Sequence, residues 1–340
     1  MIIRSKAPLR LGLAGGGTDV APYSDIYGGA ILNATVNMYA YATIQPRTDG
    51  KIILNSLDNN SKRAYKSADQ LEIDGLFDLA KGIYNRVVKD FTGKNLAFEL
   101  TTFVDAPPGS GLGTSSTLVV AILGAFAEWL SLPLGEYDLA HLAYEIERVD
   151  LNMAGGKQDQ YAATFGGVNF MEFFNEDKVI VNPLRIKPVY LNELAFNLLL
   201  YYTETSRLSS RIIETQSRNV MENNTISIEA THNLKQQAIR MKEAVLKGEL
   251  DQIGEILDFG WQNKKKMAIG ISNKSIDDIY DAAIQSGASG GKMSGAGGGG
   301  FMIFYCPNNT RIKVIESLKK FGGGIKRYEF TTSGLTTWTI

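Results

Sequence analysis

Ala106-Pro107-Pro108-Gly109-Ser110-Gly111-Leu112-Gly113-Thr114-Ser115-Ser116 is the stretch from which the rest of the chain is read. Glycines at alternate positions let backbone approach a ligand with no side chain in the way, and the Thr-Ser-Ser that follows is able to cap a helix. Leu118, Val119, Ile122, Leu123, Phe126 and Leu130 recur at three- and four-residue steps, so a helix is expected to start where the loop ends. Its free N–H groups and positive dipole end would then face whatever the loop holds, which suits phosphate. An isolated cluster of this kind is more simply a turn before a core helix. Two further stretches change the balance.

Upstream, Met1 to Leu13 reads as one or two strands broken by Pro8 and runs into Gly15-Gly16-Gly17-Thr18-Asp19, a turn presenting one carboxylate. Strand formers fill Ala30 to Gln45, and a turn at Asp49-Gly50 before Lys51 to Asn55 suggests a hairpin. Asp78 to Phe91 has helical spacing, and Leu96 to Val104 is a strand feeding the glycine loop. Downstream of the loop helix, Tyr137 to Val149 forms another helix with Leu139, Leu142, Ile146 and Val149 on one face. Its end carries Glu145, Glu147 and Asp150, and Gly155-Gly156 then opens the short helical segment that holds Asp159.

Near Ala195 the pattern resets. A strand at Phe196 to Tyr202 precedes helices at about 209–221, 226–247, 250–267 and 275–286, then the run Gly290 to Gly300, a strand Phe301 to Tyr305, a helix Ile312 to Phe321 and two closing strands. A boundary near residues 185 to 195 divides the chain into domains of about 1–190 and 191–340.

The 340 residues carry a net charge of −1, which leaves no global field for nucleic acid or an anionic membrane, so small-molecule partners are expected. The single cysteine, Cys306, reads as a buried thiol in a reducing compartment. Neither His141 nor His232 has a metal-binding partner at ligand spacing, which disfavours a zinc site or a Ser-His hydrolase. Arg4, Lys6, Pro8 and Arg10 interrupt the start where an export signal needs apolar residues, and the uncharged run Ala106 to Ala127 is too polar to span a membrane. A cytoplasmic protein is the expectation.

The glycine loop lacks the Gly-Lys-Ser/Thr ending of a Walker A loop, and Gly295, Gly297 and Gly300 fit G-x-G-x-x-G but lead into a strand, the wrong context for a dinucleotide fold. Ala7 to Asp19, Pro107 to Thr117 and Lys292 to Phe301, in that order, together resemble the galactokinase, homoserine kinase, mevalonate kinase and phosphomevalonate kinase superfamily, the GHMP kinases, over essentially the whole chain. Within it, Leu9 to Asp19 is most similar to the kinases of D-glycero-D-manno-heptose 7-phosphate, with the fucokinases close.

The resemblance implies an α+β fold: a domain like ribosomal protein S5 domain 2, then a ferredoxin-like domain, with the active site between them. It also implies an ATP- and Mg²⁺-dependent enzyme phosphorylating the anomeric hydroxyl of a sugar phosphate to the 1,7-bisphosphate, a precursor for nucleotide-activated heptose, and a monomer or homodimer. Pro108, Gly109, Ser110, Gly111, Leu112, Gly113, Thr114, Ser115 and Ser116 would wrap the ATP phosphates. Ser115 and Glu147 would hold the metal through oxygen, with Glu145 the alternative. Asp159, twelve residues after Glu147, matches the catalytic aspartate, and Arg10 the cation beside it. Gly16, Gly17, Thr18 and Asp19 would meet the sugar, and Gly297 and Gly298 would help close the cleft.

Galactokinases carry Glu-His where this chain has Gly16-Gly17, so the missing side chains are expected to make room for a longer sugar. Arg207 and Arg211 are candidates for the substrate's own phosphate. A kinase of a free sugar such as fucose or galactose, and a catalytically silent sugar sensor, are the competing expectations.

Overall fold

The computed structural model describes residues 1–205 and 209–340. In chain order the first half runs β1 (Ile3–Ala14), α1 (Tyr23–Tyr27), β2 (Gly29–Pro46), β3 (Lys51–Ser56), β4 (Ser61–Lys66), α2 (Asp78–Val87), β5 (Phe98–Val104), α3 (Thr114–Leu130), α4 (Glu136–Glu145), α5 (Gln158–Phe165), β6 (Val168–Phe173) and β7 (Val179–Pro183). There follow α6 (Pro188–Asn197), β8 (Leu198–Tyr202), α7 (Ser209–Met221), α8 (Thr225–Lys247), α9 (Ile253–Met267), α10 (Lys274–Gln285), β9 (Gly290–Met293), β10 (Phe301–Tyr305), α11 (Arg311–Leu318), β11 (Gly324–Lys326) and β12 (Thr336–Thr339).

The first sheet has the order β12-β1-β2-β5-β3-β4, with β6 on β2 and β7 on β6. The long β2 serves two partners in turn, pairing β6 with its first half and β5 with its second. The second sheet, β11-β8-β10-β9, is antiparallel throughout. Its central strands are apolar on both faces because both faces are covered. Leu198, Leu200, Phe301, Ile303 and Tyr305 join the core of the first sheet, whereas the alternating Leu199, Tyr201, Met302 and Phe304 pack with α9, α10 and α11. One apolar core thus runs from the first sheet, past α8, to the inner face of the second.

Four expectations from the sequence need correction. Pro8 does not break the opening strand: β1 runs through it, and a register shift between Pro8 and Arg10 absorbs the missing donor. β2 and β3 do not form a hairpin, because β5 inserts between them, antiparallel to β2 and parallel to β3. The hairpin partner of β3 is β4, a polar edge strand whose Ser-Lys-Arg-Ala-Tyr-Lys pattern carries no apolar alternation. Val149 is 64% exposed, because a π turn over Ile146–Asp150 rotates the helix face and buries Glu147 instead. Finally, α3 has no side-chain cap: Gly113 precedes it with φ of 77°, leaving the hydroxyls of Ser115 and Ser116 for other partners.

The two glycine-rich loops meet backbone to backbone. Phe301 N–H donates to the Ser110 carbonyl at 2.9 Å and the Ser294 hydroxyl to the Gly111 carbonyl at 2.8 Å. A methyl group on Gly300, whose φ is +94°, would lie 2.4 Å from the Ser110 oxygen, and one on Gly111 would lie 2.4 Å from that of Ser294. Gly300→Ala is therefore expected to cost about 2–4 kcal/mol in urea unfolding. Gly16→Ala, where the added carbon meets nothing within 4 Å, should cost less than about 1 kcal/mol. Equal losses would show that the close approach of the loops contributes little.

Candidate active site

β1 delivers Arg10 into the cleft between the sheets. Its guanidinium is buried, with Nε donating to Asp159 Oδ1 at 2.7 Å and Nη1 to the Gly111 carbonyl at 2.7 Å. Asp159 comes from the first turn of α5 and lies against the glycine loop: a Cβ on Gly113 would sit 3.0 Å from the Asp159 carboxyl carbon. The loop's carbonyls are held from behind, Leu112 by the Arg10 amide and Ser110 and Gly111 as described. Its amides from Gly111 to Ser116 take no acceptor among the described residues. Free N–H groups at an uncapped helix start form an anion cradle.

Glu147, only 1% exposed, lies at the head of this helix. Ser115 Oγ donates to its Oε1 at 2.7 Å, Gln160 Nε2 to its Oε2 at 2.7 Å, and Arg148 Nη1 is 3.1 Å from Oε1. Arg148 and Gln160 also donate to the Ser116 hydroxyl, at 3.1 and 3.2 Å. Glu145 is turned away, paired with Arg86 at 2.9 Å. Alongside, Leu54, Leu100, Leu118, Ile122, Phe77 and Met153 help to line a mainly apolar cavity of about 480 Å³.

On the other side of Asp159 is Asp19, 2% exposed, its oxygens held by the amides of Gln158 at 3.1 Å and Gly17 at 3.3 Å. Burial and the like charge of Asp159 raise its pKa, against the amide donors and the charge of Lys264. Two lysines complete the floor. Lys264 Nζ donates to the Gly16 carbonyl at 2.9 Å, and Lys292 Nζ to the Gly12 carbonyl at 2.6 Å. Burial, with Arg10 adding to it, pushes Lys264 down to about 8 although Asp19 pulls the other way. Burial and the neighbouring charges of Lys264 and Arg10 push Lys292 down to about 7.

The structure thus brings together Arg10, Asp159, Asp19, Ser115, Glu147 and the glycine loop. It does not turn every candidate toward the cleft. Thr18 is fully buried, its hydroxyl bonded to the carbonyls of Gly15 and Ala30 and to the Ala30 amide, so it holds the turn rather than meeting a sugar. Gly297 and Gly298 are packed on Ile271, which accepts the Gly298 amide at 2.8 Å. The room expected at Gly16-Gly17 exists at Gly16 alone, since Lys264, Met267 and Gln216 fill the place of a Gly17 side chain. Arg211 is exposed on α7, and Arg207 lies outside the described residues.

Arg148, Gln160, Gln216 and Lys264 are absent from the sequence-based site. Lys264 had a visible signal: in α9 it follows Leu257, Gly260 and Trp261 on the buried stripe, although it opens a Lys-Lys-Lys run that looks solvated.

A loop of free amides, a carboxylate–arginine pair and a hydroxyl–carboxylate pair lie around one cleft of a two-domain α+β fold, a set of groups that suits phosphoryl transfer. The GHMP kinases N terminal domain model matches residues 78–167, and the GHMP kinases C terminal model residues 241–324. The chain belongs to the GHMP kinase family, for which ATP is the co-substrate. It is 50% identical over 338 residues to the D-glycero-alpha-D-manno-heptose 7-phosphate kinase of Campylobacter jejuni, covering 99% of each chain. A solved structure of a D-glycero-D-manno-heptose 1-phosphate kinase from Bacteroides thetaiotaomicron superposes with a TM-score of 0.85 at 48% identity, over 99% of both chains. The L-fucokinase/L-fucose-1-P guanylyltransferase of Bacteroides fragilis is 28% identical over 88% of this chain and 34% of its own length.

Lys292 yields a pH prediction. Between about 7 and its unfolded value near 10.5, the unfolded chain binds a proton at this site that the folded chain does not, so this lysine makes stability rise with pH across that window. Relative to Lys292→Met, the wild-type unfolding free energy should gain up to about 1.4 kcal/mol per pH unit there. Parallel urea midpoints from pH 7 to 9.5 would refute the assignment.

Proposed function

We propose that this chain transfers the γ-phosphoryl group of ATP to the anomeric C1 hydroxyl of D-glycero-D-manno-heptose 7-phosphate, giving the 1,7-bisphosphate. The observation that carries the proposal is the position of Asp159, gripped by Arg10 and pressed on the Gly113 end of the free-amide loop. A hydroxyl presented to that carboxylate lies beside the place where the loop would hold a triphosphate. The O1–P bond forms, the bond from the γ-phosphorus to the β-bridging oxygen breaks, and Asp159 takes or orients the hydroxyl proton.

Arg10 fixes the carboxylate and places positive charge beside the transferred group. The amides from Gly111 to Ser116 receive the phosphates, and the apolar cavity over Leu118 and Ile122 accommodates the adenine. Ser115 Oγ and Glu147 Oε1, two hard oxygens 2.7 Å apart, would hold Mg²⁺. When bound, the ion would neutralise charge on the β- and γ-phosphates. Glu145, engaged with Arg86, is not the ligand in this assignment.

The sugar assignment rests on full-length similarity to the heptose phosphate kinases, whose names differ in the phosphate position. One substrate and one product position account for both. Asp19 then meets ring hydroxyls, with the open space at Gly16 beyond it for the seventh carbon. The buried single thiol of Cys306 fits a reducing cytoplasm.

ADP release by the purified protein with Mg-ATP should be confined to the heptose 7-phosphate in a panel with fucose, galactose and mevalonate. Asp159→Asn should lower kcat by about 10²- to 10⁴-fold while the KM for ATP moves less than about threefold. Turnover of fucose or galactose alone would keep the kinase and reject the sugar phosphate. Silence on the whole panel would favour a sensor.

A further inference from the structure

We propose that Lys264 and Gln216 form the subsite that grips the phosphate the sugar already carries, under the Gly15–Asp19 turn. The proposal rests on the sugar-phosphate assignment above and adds the residues that read that phosphate.

Lys264 is 5% exposed, yet its ammonium has one hydrogen-bond acceptor, the Gly16 carbonyl, and no carboxylate within salt-bridge distance among the described residues. Gln216, 4% exposed and reaching in from α7, has an amide nitrogen with no acceptor there. Both side chains reach the Gly17 position: a Cβ there would stand 2.8 Å from Lys264 Nζ and 3.3 Å from Gln216 Oε1, the free donor Nε2 being the other arm of that carboxamide. Next to that spot, at Gly16, space is open. A buried ammonium and a buried amide with donors to spare are costly to leave unmatched, and a phosphate supplies several acceptors and the opposite charge at once.

The charges in the cleft are compatible with this. Asp159 is held by Arg10 against the glycine loop, whereas Lys264 is bonded to the Gly16 carbonyl under the turn that carries Asp19. Lys264 is too firmly seated to serve only as a tether for Gly16, since an uncharged donor would do that without the cost of a buried charge. Arg211, on the exposed side of the same helix as Gln216, is the rival for the phosphate.

The test compares kcat/KM for D-glycero-D-manno-heptose 7-phosphate with that for the same heptose lacking its phosphate, at saturating Mg-ATP. In Lys264→Met the ratio of the two should fall at least about 30-fold, and in Gln216→Leu about 5-fold, mostly through KM for the phosphorylated sugar. Inorganic phosphate should compete with the sugar phosphate in the wild type and lose that competition in Lys264→Met. Equal losses on both sugars would reduce Lys264 to a support for the turn, and a ratio that falls in Arg211→Met but not at Lys264 would move the subsite to the helix surface; either overturns the proposal. Should Lys264→Met not fold, Gln216→Leu carries the comparison alone, and an unchanged ratio there overturns it equally. A wild type that phosphorylates only unphosphorylated sugars would instead defeat the parent assignment.

Discussion

Arg10 is the contact on which the site depends. A single guanidinium joins the strand β1, the carboxylate of α5 and the carbonyl of Gly111, three pieces far apart in sequence. Paired bonds from a rigid planar group fix direction as well as distance, so Asp159 and the loop are set relative to each other before any ligand arrives. The strand is fixed in turn, lying between β12 and β2 with its register shift just ahead of the arginine. Without that cation, Asp159 would lose its partner and leave the like charge of the neighbouring buried Asp19 less balanced.

The charge arrangement is the more general constraint. Arg10, Lys264 and Lys292 are buried around Asp19 and Asp159, so basic groups outnumber carboxylates on the cleft floor before Glu147 and Arg148 are considered. Burying such charges is unfavourable, and the depressed lysine values are the visible sign of that cost. A site for two highly charged anions gains from it, because dipoles and cations already in place need no rearrangement as the negative charge of the transferred group spreads. Stability has been given up locally where substrate charge restores it.

The loop and the helix behind it were legible in the sequence because they are written in local terms, alternate glycines and helical period, whereas the Arg10–Asp159 pair was expected only from the resemblance to the GHMP kinases. Long-range pairing was not legible. Nothing in Lys51 to Ser56 says that β5 will come between it and β2, since the parallel pairing is made by a crossover through α2. β9 was hidden because Gly-Gly-Lys-Met has no strand pattern of its own, and it is a strand only because β10 offers it an edge. Gln216 and Lys264 escaped for a related reason: their place comes from what is missing at Gly17, far away in the sequence, where the absent side chain admits them.

Glycine therefore has two distinct uses here. At Gly17 it makes a vacancy for another residue's charge, whereas at Gly111 and Gly300 it permits backbone contact between the two glycine-rich loops. The second use has a mechanical consequence. The Ser110 and Gly111 carbonyls are bonded to Phe301 and Ser294, so the loop that would hold the nucleotide phosphates cannot shift without disturbing the segment that leads into β10. β9 and β10 in turn carry Lys292 to Gly12, on the same strand as Arg10. The loop, Lys292 and Arg10 thus form a closed circuit in which the side chains of Ser294, Lys292 and Arg10, together with the Phe301 amide, hold backbone carbonyls of the glycine loop and of β1, so the position of the loop and that of Arg10 are fixed by the same set of bonds.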